Sequence, residues 1–555
     1  VIPVLVALVV AIALGTPYWV GQQVEKRYAD YLRQLEAFGY LRVENVAYER
    51  GWLSARASYE LVMDQELERA YAQMLGSLMT QEIAGEPLRI GVTDRISHGP
   101  FTGSLANVEG RLETSGWTFE QLMILEEERP SSHYDASIGF DRVIRGEWRP
   151  FEMTLSAGPM LSDAGIDLRY VADYRGGDFR YDPGTGEYRS STRMGPSRLV
   201  EPTAVHTFTG STGNFTARFP DGVLRELKFH SQESAMVSES REPEPTGESR
   251  VEGQTVDIAL HFDPEGRFER LASHVGMEGF EATEPDFHMT TDAMGFDLAA
   301  TRQHGNTWYG ELGFDIDGLA MRQGRGPRIS AQTMHFQVGV QPESEETFKM
   351  VTLTASNDLL VHGMEEGLSF HVETSYGQLR RAGYDTLWDL VYEAIENAGV
   401  DDPEALLAIF GRMEQTGGML MGDRSALSLR PVSFSMGEAG ADLELDAELA
   451  PHAFAELGKR ALLLPENRLE LSANVSASLL HKVARESIRQ QYSGQVTGSE
   501  LDTLAKEMVT GQLQEMLEHG IVRREGDDHY SMHAKWQSGA LLLNGEPADW
   551  LLSLF

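Results

Sequence analysis

Apolar and polar side chains alternate with a period of two through much of this 555-residue chain. Val256, Ile258, Leu260 and Phe262 alternate with Asp257, Ala259, His261 and Asp263. Leu312, Phe314 and Ile316 alternate with Glu311, Gly313, Asp315 and Asp317. The same pattern returns at Met334, Phe336, Val338 and Val340, and again at Leu368, Phe370 and Val372. Later it runs through Leu443, Leu445, Ala447 and Leu449, then Leu469, Leu471, Ala473, Val475 and Ala477. One apolar and one polar face is the mark of half-buried antiparallel strands. Gly, Asn, Asp or Pro turn signals separate most of these runs. The expected fold is mainly β, a β-rich α+β chain with a large antiparallel sheet or stacked sheets and accessory helices.

Helical periodicity interrupts the strands in a few places. Val20, Val24, Tyr28, Tyr31, Leu32, Leu35 and Phe38 fall on one stripe of a helix over about 20–38. A second helix is expected near 66–79. A third, 386–397, is followed by one over 402–413, which Asp402 caps with Pro403 at its first position, so the two form a helical hairpin. The clearest begins near Ser499: Leu501, Leu504, Ala505, Met508, Val509, Leu513, Met516 and Leu517 make a stripe, and Gly520 fits a C-terminal cap. That helix is expected on a sheet face, with a partner-binding or membrane-surface helix as the rival reading.

The N-terminus is different in kind. No charged side chain occurs before Glu25, and 1–14 is Val, Ile, Leu and Ala broken only by Pro3. A bilayer core needs roughly 20 mostly apolar residues as a helix. Residues 1–20 meet that length, with Tyr18 and Trp19 placed as an interfacial aromatic pair. A short basic stub is expected before Val1. Ala11-Ile12-Ala13 offers the rival reading of a cleaved signal peptide. Retention is favoured because the amphipathic helix continues directly from the apolar run. The expected organisation is a transmembrane anchor (1–20), a juxtamembrane helix (21–39), a β-rich periplasmic region (40–230), an acidic Ser/Pro/Gly-rich linker or long loop (231–252), and a second β-rich region with helical insertions (253–555).

Charge and composition narrow the function. The net charge of −38, from 85 acidic against 47 basic side chains, argues against nucleic acid, whose binding runs on phosphate neutralisation. With no cysteine there is neither a disulfide nor a thiolate metal site, which suits a chain exported to an oxidising compartment. The 16 histidines are scattered. His529 and His533 alternate with apolar neighbours as on a strand, where four residues span roughly 13 Å, too far for one metal ion. No zincin motif, phosphate loop or nucleophile elbow is present. Gly324-Arg325-Gly326 before Pro327 reads as a turn, as do Asp178, Asp182 and Glu187 around Gly184 and Gly186. Asp315 and Asp317 share a strand face, but such acidic alternation recurs throughout the chain. No catalytic residue, cofactor or metal ligand is assigned.

Three short motifs stand out: Tyr48-Glu49-Arg50-Gly51-Trp52-Leu53-Ser54, Ile96-Ser97-His98-Gly99-Pro100-Phe101, and Leu543-Asn544-Gly545-Glu546-Pro547. With the anchor running into Gly21-x-x-x-Glu25, the chain resembles the YdgA-like family of bacterial envelope proteins. The resemblance implies an inner-membrane anchor with a large periplasmic region in Gram-negative bacteria, and no established reaction. Physically, Gly51 fits a bulge or tight bend and Trp52 an apolar anchor in the core. Pro100 ends a strand after Gly99, where His98 would cap loop carbonyls. Asn544-Gly545 fits a two-residue hairpin turn. All seven positions read as structural.

Three functions follow as expectations. The first is a non-enzymatic envelope protein, held at the inner membrane by residues 1–20, that binds a partner or supports assembly. The second is a lipid or amphiphile carrier with an apolar groove in a curved sheet, for which the 22 methionines would suit an adaptable lining. The third is an envelope hydrolase with an unrecognised site.

Overall fold

The computed structural model describes residues 2–37, 41–63, 87–99, 103–115, 123–125, 131–163, 167–240, 247–265, 267–303, 307–324, 326, 328–361, 364–397, 412, 418–420, 422, 424–450, 464–491, 498–548 and 550–551. Strands dominate, as the alternation predicts, and the described ladders are antiparallel. The chain divides into two compact units, Val1–Val275 with Ile395–Asp402, and Gly276–Ala394 with Pro403–Phe555. The division falls inside the strand Phe268–Glu284. The acidic segment expected as a linker instead contains the end of Glu226–Glu233, then Met236–Ser240 and Glu248–Val251. Met236–Ser240 has ladder partners on both sides, Ala204–Phe208 and Glu248–Val251. Paired backbone outweighs a loop-like composition there.

In the first unit, Ile2–Ala37 is one helix, running through the positions expected as anchor and juxtamembrane helix. Among the described residues no helix is long and apolar enough to cross a membrane, and the side chains of 1–17 lie outside them. Beside the helix, Leu41–Arg50, Ser54–Met63, Arg89–His98, Ala106–Ser115, Ser131–Ile138, Ile144–Trp148, Gly177–Asp182 and Glu187–Val200 pair in that order. Glu187–Val200 serves two ladders. Its first part pairs with Gly177–Asp182 and Ser211–Arg218, its last part with Arg169–Tyr174 and Ala204–Phe208. The register breaks between Met194 and Ser197, around Pro196, a residue that strands tolerate at bulges because it has no ladder donor to lose.

The core of this unit is the helix stripe on the sheet. Val20, Val24, Tyr28 and Leu32 recur every four residues and pack on Ala55, Ala57, Tyr59, Val92, Ile96, Ala106, Val108 and Ala136. The alanines keep the sheet surface low enough for a helix to lie on it. Each fully buried Val or Leu stabilises the docking by about 1.5–3 kcal/mol.

The second unit is a meander. Phe287–Arg302, Trp308–Gln323, Arg328–Pro342, Thr347–Val361, Leu368–Arg380, Ser425–Met436, Ala439–Leu449, Arg468–Ser476 and His529–Gln537 each pair with the next. Helices Arg381–Asn397, Ala477–Gln491 and Gly498–Glu518 occupy the connections. The helices expected over 66–79 and 402–413 lie outside the described residues, Arg412 excepted. Gly498–Glu518 buries Ala505, Val509 and Leu513 mainly against Leu480, Ala484 and Ile488 of Ala477–Gln491. Its expected seat on a sheet face is therefore corrected: a neighbouring amphipathic helix offers the closer apolar surface, with Tyr530 the sheet's contribution. Leu504, Met508 and Met516 of the expected stripe stay exposed.

Candidate functional site

Two of the three sequence motifs converge where the N-terminal helix meets the end of the first sheet. Gly51, Trp52 and Leu53 form the turn between Leu41–Arg50 and Ser54–Met63. The Gly51 amide donates to the Ser54 carbonyl at 2.7 Å, and a Cβ on Gly51 would stand 2.8 Å from that oxygen. His98 is the last residue of Arg89–His98, and its amide donates to the Leu53 carbonyl at 3.0 Å. Gly99 follows with φ +143°, a conformation that L side chains rarely adopt. Pro100 lies outside the described residues.

The helix closes this junction through Tyr18, Gly21 and Glu25, which step along one face a turn at a time. A Cβ on Gly21 would come within 2.7 Å of the His98 ring, so only glycine lets the helix approach the strand this closely. One turn later Glu25 accepts from Arg50 at 2.7 Å, and the Arg50 guanidinium sits 4.9 Å over the Tyr18 ring. The exposed ion pair adds only about 0.2–1 kcal/mol. Its value is geometric, since it fixes the hairpin turn beside the helix.

One expectation about these residues is corrected. Trp52 is 51% exposed rather than an anchor in the core, because it lies beyond the last ladder pair, Arg50 with Ala55. His98 is 1% exposed, and its ring nitrogens make no well-formed hydrogen bond among the described residues, the Ser54 backbone beside the turn being the polar group that acts on them. The strand's inward parity places the ring under the helix, beside Gly21. Burial holds it below the usual histidine range, the nearby Ser54 backbone opposes that, and the Arg50 charge adds to it.

Deeper along the same strand lies a feature the sequence reading missed. Asp94 is buried and accepts from Tyr28 and Tyr134, each at 2.5 Å. Burial raises the Asp94 pKa, and the two phenol donors work against that rise. Burial, then the charge of Asp94, pushes both phenols far above the usual tyrosine range. The signal was available: Val92, Asp94, Ile96 and His98 share one parity in Arg89–His98, which places two polar residues on an inward face. The cluster pins helix to sheet, with every polar atom of the carboxylate paired.

The third motif belongs to the second unit. Asn544 and Gly545 both have positive φ, 51° and 87°, as a two-residue type I′ hairpin turn requires, and Leu543 pairs with Glu546. Asn544 Nδ2 also donates to the carbonyls of Gly520 and Ile521, at 2.9 and 3.1 Å, while its Oδ1 accepts from the His533 amide at 2.9 Å. The turn thus ties the end of Gly498–Glu518 to the sheet. A cavity of about 800 Å³ beside it is lined by His519, Arg523, Glu546 and Trp550 among others.

The remaining candidates have ordinary settings. His529 and His533 lie on the strand His529–Gln537, with His533 bonded to Glu470 at 3.0 Å. Asp178, Asp182 and Glu187 belong to a hairpin, and Gly324 has the positive φ of a turn. Asp315 bonds to His335 across the ladder. Among the described residues no group of His, Asp and Glu is placed to hold a metal ion.

A model of bacterial proteins of unknown function, DUF945, matches residues 1–194 and 223–549. The chain belongs to that family. No curated protein and no solved structure matches it. Within this DUF945 chain, both matched segments take in the motifs above, and neither brings a reaction with it.

One surface of the second unit remains. Register aligns Phe296, Phe314 and Phe336 across three strands, with Met294, Ile316 and Met334 beside them. Farther along the meander Phe370 pairs with Phe434, and Val432 with Leu443. Phe336 is 41% exposed, Phe314 and Phe434 are also exposed, and Ile316, Met334, Phe370 and Leu443 are only half-buried. The opposite face carries Glu311, Asp315, His335 and Gln337. This side is apolar across the first three of these strands; Thr352, Thr354 and Ser356 then interrupt it, and beyond them Leu479 of Ala477–Gln491 packs on the same side at Leu368, Met436 and Ala441.

Proposed function

We propose that this DUF945 protein is one of the YdgA-like envelope proteins, held in the inner membrane by residues 1–20 with its bulk in the periplasm. On this reading it shields the apolar part of a lipid or other amphiphile along the second unit's sheet. The observation that carries the proposal is the apolar patch through Phe296, Phe314 and Phe336, with Met294, Ile316 and Met334 beside them. A contiguous exposed apolar surface of this kind marks an interaction site in a soluble region. Acyl chains suit this three-strand patch because it is without the few convergent polar groups of a small-molecule pocket.

The test is photocrosslinking in intact cells, with a benzophenone amino acid at Phe336 or, on the polar face, at Gln337. Lipid adducts at 336 and not at 337 are expected. Equal adducts at both, or none at 336, would overturn the carrier reading. A second reading, a non-enzymatic protein that binds an envelope partner, is supported by the outward Leu504, Met508 and Met516 of Gly498–Glu518. The same crosslinker at Met508 would then yield one discrete protein adduct.

A further inference from the structure

The turns of the first unit's sheet fall at two ends, and register tells them apart. Ser54 pairs with Ser97, His98 with Ala106, Ala106 with Ile138, and Ile138 with Ile144. The turns 51–53 and 139–143 therefore lie at the same end. The helix leaves the sheet there too. Gly21 packs on His98, the last residue of its strand, and Tyr28 bonds to Asp94 four residues deeper. Residues before Tyr18 consequently lead away from the end that carries both turns.

This end gathers exposed large apolar side chains. Phe140 is 75% exposed and Trp19 59%, and Tyr18, Trp52 and Leu53 stand out beside them. The described turns at the opposite end carry Arg149 with Pro150, Arg175 with Gly176, and Thr209 with Gly210. Charged groups are mixed there, Arg50 with Glu25 and Glu49, and Arg142 with Asp141 and Asp182. What sets this end apart is its aromatic rim, and Trp and Tyr favour the interfacial layer of a bilayer.

We infer that this rim, with Trp52, Leu53 and Phe140 around the Tyr18–Trp19 turn of the helix, rests in the interfacial layer of a phospholipid bilayer. The inference rests on the reading of residues 1–20 as an anchor and adds that the folded unit itself touches lipid. The helix docks on the sheet through a glycine contact, an ion pair and a buried core, so the unit cannot swing away from the segment that precedes it. The anchor then sets both the height and the tilt of the first unit.

The absence of native cysteine makes the test direct. Full-length protein in phosphatidylethanolamine–phosphatidylglycerol vesicles carries one nitroxide at a time, on Trp19→Cys, Trp52→Cys, Phe140→Cys or Thr203→Cys. Thr203 is exposed at the far end of Glu187–Val200 and serves as the aqueous reference. Collision with oxygen and with a water-soluble nickel complex then reports depth. Labels at 19, 52 and 140 are expected to be several-fold less accessible to nickel than the label at 203. Nickel access at 52 and 140 equal to that at 203, with 19 still shielded, overturns the rim and leaves the anchor standing. Nickel access at 19 as well overturns the anchor reading and the rim with it.

Discussion

Val24 in the first unit and Phe336 in the second each belong to an apolar stripe that faces a sheet or forms part of one. Val24 is wholly buried, because the helix that bears it lies on the alanine-lowered surface of Ala55, Ala57 and Ala136. Phe336 keeps much of its ring exposed, because its neighbours Phe314 and Phe296 continue the sheet sideways and, among the described residues, Ala477–Gln491 packs on this side only farther along, at Leu368 and Met436. The same period-two pattern therefore yields a sealed core in one unit and an open apolar patch in the other. What differs is whether the chain supplies a cover. The first unit uses its apolar face to dock the helix, and the second leaves part of its own open.

The comparison breaks most visibly at Val24. Val24→Asp places an uncompensated charge under the helix and is expected to destabilise the first unit by about 3–5 kcal/mol. Hydrogen exchange would then rise in 41–63 and 89–98, with the second unit's ladders protected as before. Unchanged exchange in those strands would mean that the helix is not the first unit's core.

A smaller effect is expected at the polar pin. Tyr28→Phe removes one of two donors to Asp94 and should cost about 1–3 kcal/mol in the same unit. The pH dependence has a definite sign. Because folding raises the Asp94 pKa, its favourable contribution is complete below about 3.9 and is lost as pH rises through the raised value. Asp94→Asn should flatten that decline in the denaturation midpoint of the first unit. A decline of unchanged slope would locate the titration elsewhere.

His98 runs the other way. Folding lowers its pKa, so its contribution is present above about 6.5 and lost as pH falls from there through the lowered value. Mild acid should therefore loosen the Gly21–His98 contact, read as faster exchange at 18–28. His98→Gln, which cannot take up the proton, should remove that sensitivity.

The smallest stability effect belongs to the open face. Phe336→Asp is expected to lower the second unit's stability by only about 1 kcal/mol, the worth of a half-buried ring and its cross-strand pairing with Phe314. It should nevertheless abolish lipid adducts from a crosslinker at Phe314. A large loss of stability would show that the face is covered, and would turn the contrast between the units into a likeness.

Much of this was legible in the chain. The strands at 256–262, 312–316, 334–340, 368–372, 443–449 and 469–475 all formed, as did the Asn544-Gly545 turn and the helix closed by Gly520. The junction was legible only in pieces. Gly21, Glu25, Arg50, Gly51, His98 and Gly99 were noticed as motifs, but their contacts join segments far apart in sequence. Trp52 was misplaced because an aromatic beside a tight turn has the same composition whether it points in or out. Asp94 was passed over because a single inward carboxylate resembles the acidic alternation found on so many outward faces here.

By itself the sequence determined local matters: which residues extend, which turn, and which faces are apolar, because period, propensity and turn geometry act over a few residues. Only the tertiary structure decided which apolar faces are covered, that a bare glycine would lie on a buried histidine, and that one carboxylate would be held between two tyrosines. Those outcomes depend on the register and approach of segments distant in the chain, and side-chain alternation carries no information about what will pack on top of it.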